Sequence, residues 1–153
     1  MPKLELESIR RRLGTTYPAP FDQPCLARAR RALGDAGGLG DFGVNLLDLP
    51  PGAWSSQRHW HSAEDEFVWV LSGEVVLVED AGETLLRAGD CAAFQKGSAN
   101  GHHLINRSSA SATCLEVGTR SSDDVCTYSD IDMRIDSKIG HYTRKDGERY
   151  PDR

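Results

Sequence analysis

From Asp41 to Thr119 the chain is punctuated by turn residues about every ten positions, and that regularity decides what it can fold into. "FGVNLLDL" stops at "PPGA", "EFVWVL" at "SGE" and "VVLVED" at "AGE". "TLLRAGD" leads into "CAAF", and after "QKGSANG" come "HHLIN", a Ser-rich turn and "ATCLEVGT". Short β-branched and aromatic runs separated by Gly and Asp turns are the pattern of a sandwich or small barrel. No long amphipathic helix lies between them, which argues against a parallel α/β sheet. The expected fold class is therefore all-β, and 153 residues suffice for one such domain.

The barrel is expected over residues 25–119, with an N-terminal extension at 1–24 and a C-terminal one at 120–153. In the first, "SIRRRLG" suits one helical turn, and the three prolines of "TTYPAPFDQP" forbid a long element. "CLARARRALG" has helix propensity but near-alternation. A strand is preferred, because "DFGVNLLDL" follows a Gly-rich connection and could pair with it. Arg28, Arg30 and Arg31 then read as a solvated strand face, with contact to an acidic partner as the alternative. The polar C-terminal tail is expected to pack on the barrel or on a partner, with its last residues frayed.

A formal net charge of −5 argues against binding a phosphate backbone. No apolar run approaches the roughly 20 residues that span a bilayer. "MPKLELESIRRRLG" lacks the apolar stretch of a secretory signal, so a cytoplasmic protein is expected. The four cysteines are far apart with no CxxC pair, which fits reduced thiols. Cys91 and Cys114 read as small buried hydrophobes rather than reactive groups.

Strand alternation puts His59 and His61 on one face and Trp60 on the other. Glu66 heads the next strand, whose apolar continuation makes a buried carboxylate costly without a cation nearby. Neutral imidazoles holding a metal would supply that cation. Of the adjacent pair His102 and His103, only one can face inward. A lone strand histidine is usually structural, but four of the five histidines fall in two tight clusters. A metal site is the preferred reading. Glu64 and Asp65 are expected to be solvated loop residues, or substitute ligands if the loop bulges.

Gly52, His59, His61, Glu66 and Gly73 resemble the first motif of the cupin superfamily. Gly89, Gly97, His102 and Asn106 resemble the second, with its His-xxx-Asn spacing. Three departures stand out: the loop from Gly52 to His59 is one residue longer, Gln95 replaces a proline, and "SANG" adds two residues before His102. The resemblance implies a double-stranded β-helix, a jelly-roll barrel with a divalent metal inside its mouth. Its implied ligands are His59, His61, Glu66 and His102, and its ion Mn, Fe, Ni, Co or Zn. It also implies a homodimer.

Several readings of the activity remain open at this point. One is a metal-dependent enzyme acting on a small oxygen-rich molecule: a sugar or sugar phosphate isomerase or epimerase, or an organic-acid lyase or dioxygenase. Another is a non-catalytic metal-containing module that binds or senses a small molecule. A vestigial storage protein is disfavoured by the intact ligand set. Alternation extended back from His59 makes Gln57 a candidate for a hydrogen bond to substrate. Glu116 could reach the cavity, depending on register. Trp54, Trp60 and Trp69 are assigned to core or interface packing. Arg58 is out of phase with the histidines and Lys96 lies in a loop, so no cavity cluster of Lys or Arg is expected, which weakens the phosphate version.

Overall fold

The computed structural model describes residues 3–152. Its strands are β1 (Arg12–Leu13), β2 (Ala29–Ala32), β3 (Phe42–Leu49), β4 (His59–His61), β5 (Glu66–Ser72), β6 (Glu74–Glu79) and β7 (Gly82–Arg87). They continue as β8 (Cys91–Phe94), β9 (His103–Ile105), β10 (Ala112–Thr119), β11 (Val125–Tyr128), β12 (Arg134–Asp136) and β13 (Tyr142–Thr143). One helical turn, α1 (Leu33–Ala36), and two 3₁₀ turns, Leu6–Ser8 and Gln23–Cys25, are the helical elements among the described residues.

Every strand pairing is antiparallel. One wall of the jelly roll is the sheet β1-β2-β3-β10-β5-β8. The other is made from β7-β6-β9 and β13-β12-β11-β4, tied together by the bridges Trp54↔Ile105 and His59↔His102. Strand alternation decides the core. Leu47 and Leu49 on β3, Val68 and Val70 on β5 and Cys114 on β10 meet Val75, Leu77, Leu86 and Leu104 from the facing wall. Each such aliphatic side chain contributes about 1.5–3 kcal/mol on burial.

The motif glycine between β5 and β6 has a backbone reason. Gly73 sits at φ +74°, and a Cβ there would lie 2.8 Å from the Ser111 carbonyl oxygen. Asn106 is fully buried and acts as a clamp. Its amide donates to the Leu49 and Ala110 carbonyls at 2.7 and 2.8 Å, and its oxygen accepts from the Ser108 N–H at 2.9 Å.

Within "CLARARRALG" Ala29–Ala32 form β2, which pairs with β3, while Cys25 closes a 3₁₀ turn and Leu33 and Gly34 open α1. Both flanks pack on the barrel. The C-terminal segment supplies strands, with β11 paired to β4, so the strand bearing His59 and His61 is held by residues beyond 119. A second apolar cluster joins the two flanks: Tyr17 and Cys25 pack with Cys126, Tyr128, Met133 and Tyr150. Cys91 is exposed rather than buried, while Cys114 is fully buried and its thiol is pushed up to about 12 by burial and by Glu116.

The outward face of β3, β10 and β5 carries an apolar row. Phe67, Trp69 and Leu71 are exposed by 37, 46 and 44 %. Leu115 and Val117 of β10 lie opposite Trp69 and Phe67, and Leu46 and Val44 of β3 continue the row.

Candidate functional site

Three imidazoles converge on one carboxylate oxygen at the mouth of the barrel. Glu66 Oε2 lies 2.8 Å from His102 Nε2, 3.6 Å from His61 Nε2 and 3.7 Å from His59 Nε2. Yet this oxygen is buried without a properly directed hydrogen bond. A buried carboxylate among three nitrogen lone-pair donors is costly unless a cation sits between them. Burial works to raise the Glu66 carboxyl, but His102, His59 and His61 outweigh it and hold it well below the usual carboxylate range.

The far sides of the rings fix which nitrogen faces the cavity. His59 Nδ1 donates to the Gln57 carbonyl at 2.9 Å, and His61 Nδ1 to the Asp124 carboxylate at 2.6 Å. Their Nε2 atoms are thereby turned towards Glu66, the arrangement that orients metal-ligating histidines. His102 is stacked on Phe94, with ring centroids 3.5 Å apart. The donor set of three imidazoles and one carboxylate therefore fits a divalent transition metal.

Of the candidate residues, His59, His61, Glu66 and His102 come together. The extra residues before His102 do not displace it, because His59 and His102 exchange backbone hydrogen bonds of 3.2 and 2.9 Å. The neighbouring His103 points the other way, donating to the Ser56 carbonyl at 2.9 Å and packing edge-on against Trp54.

Gln57 is not brought into the cavity. Its side-chain amide donates to the Phe21 carbonyl at 2.7 Å, holding the N-terminal segment to the barrel. The alternation argument fails there because β4 starts only at His59, and residues 55–58 form bends. Glu64 is no solvated bystander either. It is half-buried, lines the cavity and accepts a 2.8 Å hydrogen bond from the Ser121 N–H. Burial raises its carboxyl above the usual range. Asp65 serves the loop, accepting from the Lys96 N–H at 2.8 Å.

The expectation that the cavity holds no arginine cluster is overturned. A cavity of about 540 Å³ runs from the histidines to a wall containing Arg12, Arg28 and Arg30. Glu116 points inward and takes both hydrogen bonds of the Arg30 fork, at 2.7 and 2.8 Å. Arg28 and Arg30 both donate to the Ser55 carbonyl, and Arg28 also donates to Gly14 at 3.1 Å. Arg31, in contrast, faces outward, 3.6 Å from Asp48.

Asp124 was missed altogether. It is 2 % exposed and also accepts from the Ala63 N–H at 2.8 Å, but in "RSSDDV" nothing marks it apart from Asp123. Cys126 was missed too. Its ligand atom and one each from His59 and His61 lie within 4.8 Å of one another, as do those of the His61, Glu64 and Asp124 group.

A jelly-roll barrel with a three-histidine, one-glutamate cluster in its mouth defines the class, and the comparisons agree with it. The Cupin domain family matches residues 45–118. A structure described as a sugar phosphate isomerase from a cupin superfamily, from Silicibacter pomeroyi, is 50 % identical, with TM-score 0.91, covering 98 % of this chain and 97 % of that one. A candidate sugar phosphate isomerase from Acidithiobacillus ferrooxidans is 29 % identical over 83 % of this chain and 82 % of that one, with TM-score 0.72. The polyketide cyclase RemF from Streptomyces resistomycificus, 17 % identical with TM-score 0.63 over 78 % and 79 % of the two chains, shares the fold alone. None of the curated proteins matches the chain. The chain belongs to the cupin superfamily.

Proposed function

We propose that this protein is a metal-dependent isomerase or epimerase acting on a sugar or sugar phosphate. The observation that carries this reading is the convergence of a metal-type ligand cluster and an arginine wall in one cavity. The sugar phosphate isomerase description of the half-identical Silicibacter pomeroyi structure supports it. His59, His61, Glu66 and His102 would hold one divalent ion. When bound, it would supply Lewis-acid polarisation of a substrate carbonyl or hydroxyl oxygen, which acidifies the neighbouring C–H.

The chain's own residues supply the rest. Glu64 Oε1 is engaged by Ser121, whereas Oε2 has no hydrogen bond and lies 3.8 Å from His61 Nδ1. Its raised carboxyl suits taking a proton from one carbon at Oε2 and returning it to the next. The arginine wall would orient the far end of the substrate. Phe94 and the Tyr128 ring restrict water around His102 and His59.

Aldose and ketose phosphates should interconvert in deuterium oxide with the metal-loaded protein, with deuterium entering the product carbon, and chelation should stop it. Proton and carbon NMR read both. Binding without turnover would instead favour a sensing module, and oxygen consumption or loss of carbon dioxide would favour dioxygenase or lyase chemistry.

We further propose that the apolar face of β3, β10 and β5 pairs with a second copy. A patch of this kind is unusual on a monomer, and the central row from Val44 to Phe67 carries no charge to attract a polar partner. Light scattering should find a dimer for the wild type and a monomer for Trp69→Arg. A monomeric wild type at tens of micromolar would refute the pairing.

A further inference from the structure

We infer that the arginine wall is a phosphoryl-binding subsite, in which Arg12 and Arg28 contact the phosphoryl oxygens while Arg30 borders them. This inference rests on the proposed sugar-isomerase reading and names the part of the substrate that the far wall takes.

The charges on the wall do not balance. Arg12, Arg28 and Arg30 line the cavity together with a single nearby carboxylate, Glu116, which is fully engaged by Arg30. The remaining cavity arginine, Arg120, is matched by Asp35. Two guanidiniums thus remain unmatched, and a phosphate monoester brings a charge of about −1.5 to −2 near neutral pH.

Arg28 is the more telling of the two. It is 7 % exposed, and its partners are the Gly14 and Ser55 carbonyls and the face of Tyr17, 5.7 Å from the ring centroid. No carboxylate pairs with it among the described residues. A buried cation without an anion is costly, and an anionic ligand would relieve that cost. Burial and the neighbouring Arg30 act in the same sense on its guanidinium, both disfavouring the charged form.

Arg12 completes the geometry. In the β1–β2 register Arg12 lies opposite Arg30, so both side chains share the cavity face. Arg12 is exposed and its side chain makes no hydrogen bond or ion pair among the described residues, so its fork is free for a ligand. The hydroxyl pair of Thr16 and Tyr142, 3.0 Å apart, also borders the cavity and adds donors.

The distance also suits a phosphorylated sugar. β10 and β3 lie between the strand carrying Glu66 and the strand carrying Arg30, about 14 Å around the wall at ~4.8 Å per strand. Arg30 reaches back across β3 to Glu116 on β10, which shortens that span on the cavity side, and the same cavity is lined by the histidines. A merely structural role for Arg28, tying Gly14 to Ser55, would give Arg12 nothing to do.

The test is calorimetric titration of inorganic phosphate into the zinc-loaded wild type, Arg12→Ala and Arg12→Lys at fixed ionic strength. Arg12→Ala should weaken phosphate by about tenfold or more, with partial rescue in Arg12→Lys. Arg12 is exposed on a two-residue strand, so both variants should fold as the wild type does. Equal affinity in wild type and Arg12→Ala, or no phosphate binding by the wild type at 10 mM, roughly the limit for a useful subsite, would overturn the inference. Turnover separates it from the reading on which it rests. Sugar-phosphate interconversion with an unchanged KM in Arg12→Ala would sink the subsite and leave the isomerase. Phosphate binding lost in Arg12→Ala, with no sugar phosphate turned over, would sink the isomerase and leave the subsite.

Discussion

His61→Ala should purify without stoichiometric metal and without activity, while remaining folded. His61 Nε2 faces Glu66 Oε2, and its Nδ1 is fixed by Asp124, so the substitution removes both a proposed ligand and the end of a second hydrogen-bonded support. Losing an outer partner of a metal ligand typically costs 10–100-fold in affinity, so losing the ligand should cost more than about 100-fold. Asp124→Asn should fall in that smaller range. The fold should survive, because β4 is held by backbone pairing to β11 and not by the imidazole. Elemental analysis after dialysis decides the matter, and unchanged metal content would overturn the ligand assignment. His102→Ala sharpens the result. It should lose metal if the ion sits at Glu66, and keep it if the ion sits instead among His61, Glu64 and Asp124 or among His59, His61 and Cys126.

What the sequence could and could not disclose follows from the range of each interaction. Strands β3 to β10 lie within residues 42–119 and the four central site residues within 59–102, where local alternation and turn residues dictate which side chains share a face. His102 and not His103 faces inward: alternation says only that one of the two can, and the His-xxx-Asn spacing of the second motif is what selects His102. The arginine wall was equally local in principle: Arg28 immediately precedes the short strand β2 and Arg30 lies on it, two positions on, so extended backbone through both places both inward. What hid them was the assumption that charged residues in an edge element face solvent. Their actual neighbours, Ser55 and Glu116, lie 25 to 86 residues away.

Asp124, Cys126 and Tyr128 are a different case. They reach the site through β11, a strand from a segment whose composition reads as a polar tail. Long-range pairing of this kind leaves no periodic trace in the strand it supports. The error at Gln57 has the opposite origin. Alternation was carried through residues 55–58, where the backbone bends, and the useful atom of Gln57 turned out to be its carbonyl, which orients His59.

The same residues should make the proposed metal binding strongly pH-dependent, with opposite signs for the metal-free and metal-loaded protein. Burial alone would lower the His61 imidazolium, but Cys126, Glu66 and Asp124 outweigh it and raise it to about 10. Glu66 is held well below the ordinary carboxylate range and stays ionised throughout, so it adds no slope near neutrality. Burial lowers His102, which favours its neutral form. At pH 7 His61 in the metal-free site therefore carries a proton that an ion must expel. Below about pH 10 the apparent metal affinity should rise by close to tenfold per pH unit. Calorimetry in buffers of different ionisation enthalpy should find about one proton released per ion. In the metal-free protein the raised value works the other way. Its stabilisation is complete below the unfolded histidine value of about 6.5 and is lost as pH climbs towards 10. Thermal melts of chelated protein should thus fall across that window, while the increment added by saturating metal grows. A metal affinity that is flat from pH 6 to 8, about two units of expected slope, would show that His61 is not the protonated ligand and that the cluster is assembled around a different set of atoms.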